Sequence, residues 1–264
     1  MDLMRARVTL RERPLLDVFD LAVRFCVMHA GAYARMCVVV LLPWFALSLG
    51  VARLGGYWLA WGVSIAGATF ATAPFVALAS RLVFAESVGT REALRVALRA
   101  LPRLLVVRPL QLLILSASLL MAGLPWLWLG SVLLFVVEVV VLEQASIGGT
   151  LGRAQRIASA HLGSATLSML LLLLLPAAAA VLADVTGREV LQTVLEIKAP
   201  PSMFKTGGNW LALAGFWGIL PLATTARFFV YLDIRTRTEG WDIQTRFAGI
   251  AARVDDDAEP RRAA

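Results

Sequence analysis

Charge disappears from this chain in long blocks. Tyr57 to Ser80, Pro109 to Val137, Leu162 to Ala183 and Asn209 to Ala226 contain no acidic or basic residue. A run of about 20 apolar residues at about 1.5 Å per residue crosses a hydrocarbon core of about 30 Å, so blocks of this length predict membrane helices. The pattern predicts six, over residues 36–52, 57–80, 104–122, 126–142, 162–183 and 210–232. The apolar stretch from Leu104 to Leu142 is about twice what one helix needs, and Gly123-Leu124-Pro125 near its middle is a turn signal. It is therefore divided into two spans. Trp44, Trp58, Trp126, Trp128, Trp210 and Trp217 fall mostly near span ends, where interfacial indoles belong.

Arginine placement follows the same division. Arg5, Arg7, Arg11, Arg13, Arg24 and Arg35 precede the first span; Arg81, Arg91, Arg95, Arg99 and Arg103 lie between the second and third. Arg153 and Arg156 separate the fourth and fifth, and Arg235, Arg237, Arg246, Arg253, Arg261 and Arg262 follow the sixth. The alternate connections hold Arg53, then no charge, then the balanced set Asp184, Arg188, Glu189, Glu196, Lys198 and Lys205. With six spans every arginine-rich segment lies on one side, which predicts a bacterial inner-membrane protein with both termini cytoplasmic. Residues 1–238 then form the membrane domain. Residues 239–264 form a cytoplasmic tail, helical around Trp241 to Ala252 and disordered through the acidic run that follows.

Composition adds what is excluded. At 59% hydrophobic and 16% charged, the chain falls well short of the roughly 25% charged residues of a soluble domain. The net charge of +7 follows from loop orientation and attraction to anionic lipid, so no nucleic-acid partner is expected. The arginines among the first residues leave no uninterrupted apolar segment for a secretory signal peptide. Cys26 and Cys37 make no disulfide framework and have no C-x-x-C spacing.

Arg91, Arg95, Arg99 and Arg103 recur every fourth residue, and at about 100° per residue they share one face of a helix. Leu94, Ala97, Leu98, Leu101, Leu104 and Leu105 take the opposite arc, and Pro102 predicts a kink or restart. This is an amphipathic helix suited to the cytoplasmic interface, where the four arginines are candidate contacts to anionic lipid headgroups. The segment has two counterparts. "RFCVMHAG" at 24–31 and "RIASAHLG" at 156–163 share R-x4-H-x-G, each leading into a span that carries a proline, Pro43 or Pro176. "ESVG" at 86–89 and "ASIGG" at 145–149 open the second and third basic segments alike. The chain thus reads as three degenerate repeats of interfacial helix, span, short turn and returning span. The fold class is all-α, a polytopic six-span membrane protein with cytoplasmic amphipathic helices.

Catalytic motifs are not found: there is no G-x-S-x-G, H-E-x-x-H or P-loop. His29 and His161 lack the carboxylate or thiol company of a metal site and read as interfacial packing residues. No cofactor, metal or enzyme activity is expected. The informative polar residues are those at membrane depth. Glu138 lies inside the fourth span with Glu143 near its end, Arg108 opens the third, and Arg227 lies in the sixth. Charges there are costly, so they face the bundle or a wet cavity and find partners. Either Glu138 pairs with Arg108 or Arg227 to pin helices, or the group forms a polar site for an ion, proton or lipid headgroup. Arg188 to Lys198 predicts a short amphipathic helix closed by Pro200-Pro201, and Trp241 and Phe247 in the tail are candidate partner contacts.

Three segments resemble a known group. "LLDVFDLAVRFCVMHAGAYARMCVVVLLP", "VLEQASIGGTLGRAQRIASAHLG" and "FVYLDIRTRTEGWDIQTRFA" are similar to the lead-in helices and last span of bacterial six-span proteins related to the membrane domain of glycerophosphodiester phosphodiesterases. In that family the chemistry resides in a separate soluble barrel, for which this chain has no length. The resemblance therefore implies a membrane module without that activity, and relatives of this kind imply an AAA+ ATPase system and other membrane proteins as partners. The function expected is a non-catalytic scaffold or subunit of a membrane complex. A transporter or channel-like subunit with a polar cavity around Glu138 is the alternative, and a lipid-modifying membrane enzyme a third.

Overall fold

The computed structural model describes residues 14–85, 87–120 and 124–239. Among them all regular structure is helical, and five helical segments, Ala30–Leu82, Thr90–Leu119, Pro125–Glu143, Leu162–Val194 and Trp210–Thr238, are long and apolar enough to cross a membrane. The protein is a multi-pass, all-α membrane protein. In chain order the helices are α1 (Leu15–Met28), α2 (Ala30–Leu82), α3 (Thr90–Leu119), α4 (Leu124–Val132), α5 (Val136–Glu138), a π-helical turn (Val139–Glu143), α6 (Ile147–Ala160), α7 (Leu162–Glu189) with a π-helical extension (Val190–Val194), α8 (Met203–Thr206) and α9 (Trp210–Glu239). Trp241 and Phe247 lie outside the described residues.

At 53 residues α2 is far longer than one crossing, but it is not straight. Gly56 has φ 81° and ψ 172°, a backbone state open in practice only to glycine. The chain doubles back there. Ser64 Oγ donates to Ser48 Oγ at 2.7 Å across 16 residues, a separation that would span about 24 Å in a continuous helix. The Trp44 ring lies against Gly67, and the Tyr33 and Phe75 rings stack at 6.3 Å, each pair nearly equidistant from Gly56. The two arms, 30–55 and 57–82, contain the first two apolar blocks, 36–52 and 57–80.

Histidines mark two further breaks. His29 separates the 14-residue α1 from α2, and His161 separates the 14-residue α6 from α7, both with non-helical backbone. The corresponding middle segment behaves differently. Of the kink or restart expected at Pro102, the restart does not occur: α3 continues through Pro102 and Pro109 as one helix. Pro102 is exposed, on the side where a freed carbonyl can be solvated.

The fourth predicted span, 126–142, is not one helix. It is interrupted at Leu133 to Phe135 and relaxes into the π-helical turn before Gln144, whose φ is 51°. Irregular backbone at membrane depth survives only where protein covers it. Here Leu133, Phe135, Val136 and Val137 are all buried, and the Leu133 carbonyl receives the Gln111 side-chain amide. The separate helix expected over Arg188 to Lys198 also does not form. Its first residues prolong α7 to Val194, and Arg188 Nε donates to the Pro200 carbonyl, folding the following loop back.

α9 is the central strut, packed on α7, on both arms of α2 and on α1. Its close approach to α7 depends on Gly215, where a Cβ would overlap the Ala179 carbonyl. At one end of the bundle, buried Asp184 accepts from Asn209 Nδ2 and, at 3.1 Å, from the Met203 backbone, while Asn209 Oδ1 caps α9 through Ala212 N–H at 2.9 Å. Among the described residues, Arg103, Arg153 and Arg235 meet around Glu143 and Gln144 toward the opposite end of α9.

Candidate functional site

Two charge clusters lie along the inner face of the bundle. In the deeper one, Glu138 is fully buried, and its Oε1 accepts from Arg227 Nε on α9 at 2.7 Å. Helix α5 carries Glu138 inward because the break at 133–135 redirects the chain, and α9 brings Arg227 from 89 residues away. Glu138 Oε2 and Arg227 Nη2 are buried without a hydrogen-bond partner. Such a pair is expensive to bury and far more expensive to leave half-made.

Arg108, 7% exposed, lies within electrostatic reach of both but bonds to neither. Its Nε donates to the Thr69 carbonyl on the second arm of α2 at 3.3 Å, and one Nη donates to Gln111 Oε1 at 2.6 Å. Gln111 in turn reaches Leu133 O at 2.8 Å. Of the two arginines expected to compete for Glu138, Arg227 therefore takes it, and Arg108 is held by neutral groups. Two guanidinium groups face one carboxylate.

A cleft of about 510 Å³ opens beside this cluster, between the second arm of α2, α7 and α9. Arg108 and Arg227 stand on its inner wall, with Thr69 and Thr72; Ile65, Leu173, Pro176, Ala177 and Leu220 make the rest largely apolar.

The shallower cluster centres on Glu143, at the arginine-rich end. It accepts from Arg153 Nε at 2.8 Å and from Tyr231 Oη at 2.7 Å, and Arg235 lies at 3.5 Å. Glu143 thereby ties the π-helical turn to α6 and α9. Arg103, one of the four proposed lipid contacts, donates to the Gln144 carbonyl at 3.0 Å. Arg91, Arg95 and Arg99 are exposed. Ala93, Ala97, Ala100 and Leu104 pack inward, while Leu98 and Leu105, expected on the arc opposite the arginines, are more than half exposed. Helix α3 thus has a packed face, a basic face and an apolar edge between them.

Gln111, Thr69 and Asp184 were not singled out by sequence reasoning as site residues. A glutamine in an apolar block was the available signal for the first. Among the described residues no group of three or more His, Cys, Asp or Glu side chains is placed to hold a metal, and His29 Nδ1 instead contacts the Phe25 carbonyl at 3.0 Å. Compared with protein-family models, curated proteins and solved structures, the chain matches none.

Proposed function

We propose that the protein is a non-catalytic scaffold or subunit of a bacterial inner-membrane complex, crossing the membrane six times with both termini in the cytoplasm. The observation that carries this reading is the Glu138–Arg227 pair, whose carboxylate has no exposure and which joins α5 to α9. The other buried polar groups behave alike: Ser48, Ser64 and Trp217 join both arms of α2 to α9, and Tyr33 Oη meets Thr225 at 2.7 Å. They hold the frame. The reversal at Gly56 supports counting α2 as two crossings, which brings every arginine-rich segment to the cytoplasmic side. The paired histidine breaks after equal 14-residue helices support the repeat reading for the first and third units. The apolar edge of α3 beside exposed Arg91, Arg95 and Arg99 supports an interfacial helix contacting anionic lipid, with Arg103 serving the Gln144 carbonyl.

The proposed partners are other membrane or cytoplasmic proteins, an AAA+ ATPase system among them, and kinship with the phosphodiesterase membrane domain is proposed on the three quoted segments alone. Purification from native membranes in mild detergent, followed by mass spectrometry, tests the reading. A stoichiometric protein partner is expected, released by Trp241→Ala with Phe247→Ala and retained in Glu138→Gln. A protein that always purifies alone would refute it.

A second reading, a transporter-like subunit, is favoured by one observation: the unpartnered Glu138 Oε2 beside a charged cleft. It requires Glu138→Gln to abolish flux in reconstituted vesicles while leaving the fold intact.

A further inference from the structure

We propose that the cleft between the second arm of α2, α7 and α9 binds one anionic membrane lipid, its headgroup against Arg108 and an acyl chain along the apolar wall. This stands apart from the scaffold reading. Arg108 is the starting point. It is more than nine-tenths buried, its hydrogen-bond partners are the neutral Thr69 carbonyl and Gln111 amide, and the nearest carboxylate is already taken by Arg227. A guanidinium in an apolar environment without an anion is costly, and here a second one stands within electrostatic reach. With two guanidinium groups and one carboxylate the cluster is one anion short, and the cleft is where a second one fits.

The walls say what kind of anion. Apart from the arginines and two threonines, the lining is apolar, and Ile65 (55% exposed) and Leu173 (53% exposed) stand at a mouth on the outward surface of the helices. Their exposure belongs to the apolar belt, so a ligand enters sideways from the bilayer. From Trp61 to Thr72 the lining runs along the second arm of α2 for about 16 Å, roughly half of a hydrocarbon core and the reach of one leaflet's chain. A free inorganic anion would find charge at the inner wall but nothing to gain from the remainder. A lipid phosphate satisfies both ends, since guanidinium groups bind phosphate through parallel charge-assisted hydrogen bonds.

The test uses the full chain in mild detergent. Thermal unfolding is followed while phosphatidylglycerol, phosphatidylcholine or inorganic phosphate is titrated, and native mass spectrometry counts the lipids retained. One tightly held lipid per chain and stabilisation by phosphatidylglycerol alone are expected. Arg108→Gln should weaken the apparent affinity at least about tenfold, the effect of losing a charge-assisted bond pair. Ala177→Trp, on the exposed wall, should do the same by filling the cleft without touching the charges, which keeps the proposal testable if Arg108→Gln does not fold. The double substitution Arg91→Gln, Arg95→Gln should leave the tightly held lipid in place. Equal stabilisation by phosphatidylcholine overturns the proposal, as does equal stabilisation by inorganic phosphate. So does unchanged lipid binding in a folded Ala177→Trp protein, or cross-linking that finds a second protein chain seated in the cleft.

Discussion

Replacing Glu138 with leucine removes the carboxylate of the buried pair and leaves Arg227 facing Arg108 with no negative charge between them. Breaking a buried ion pair from one side costs about 3–5 kcal/mol, because the remaining charge loses its partner but not its desolvation. The upper end applies here, since two like charges are left together. Arg227→Met should cost nearer about 3 kcal/mol, because Glu138 keeps Arg108 within electrostatic reach. The double variant, Glu138→Leu with Arg227→Met, leaves an apolar contact of similar volume and should lie within about 1–2 kcal/mol of the parent. At about 2–4 °C per kcal/mol for a chain of this size, the single substitutions should lower Tm by roughly 6–20 °C and the double by much less. Tryptophan fluorescence during thermal unfolding in detergent reads all four proteins. Additive single effects, or an Arg227→Met cost above that of Glu138→Leu, would refute the view that this pair and its neighbour Arg108 act as one charge cluster.

Further outcomes follow from other elements. Gly56→Ala forces a side chain into a conformation costing about 1–3 kcal/mol, so Tm should fall by several degrees, whereas Gly62→Ala, exposed and in open space, should leave it unchanged or raise it slightly. Paired Ser48→Cys and Ser64→Cys should form a disulfide under mild oxidation, visible by mass spectrometry; a straight α2 would keep the thiols about 24 Å apart and unlinked. Burial pushes the Cys26 thiol above its ordinary value, which lowers its thiolate fraction near pH 8. In a Cys37→Ser background its alkylation should therefore be slower than in the unfolded chain, and the rate should keep rising with pH beyond the range of a free thiol. Asp184→Ala removes the acceptor that holds Asn209 and Met203, and should expose the loop before α9 to added protease at a cost of about 1–3 kcal/mol.

Much of the fold was legible because the bilayer imposes one rule that sequence obeys directly: apolar blocks of a set length, with charge pushed to their ends. That rule located the apolar segments that form the long membrane-length helical stretches. It also drew attention to Glu138, Arg108 and Arg227, since ionisable residues stand out in an apolar block. It did not resolve the interruption at Leu133 to Phe135. Those residues are as apolar as their neighbours, and the interruption is sustained by Gln111, from a helix 22 residues earlier in the chain. Nor did it separate packed from exposed leucines on α3, because in lipid both are apolar.

Which arginine takes Glu138 was beyond the sequence for the same reason. Arg108 and Arg227 are alike in chemistry and in distance from a span end, and only the seating of α9 against α5 gives the carboxylate to one of them. The cleft is likewise tertiary: α2, α7 and α9 contribute its walls, and no local pattern in any one of them announces an opening. Sequence alone determined where the chain is apolar and where its charges are dear, because these depend on each residue's own transfer free energy. Partnership and cavities depend on which helices meet and at what register, and those were decided only when the bundle closed.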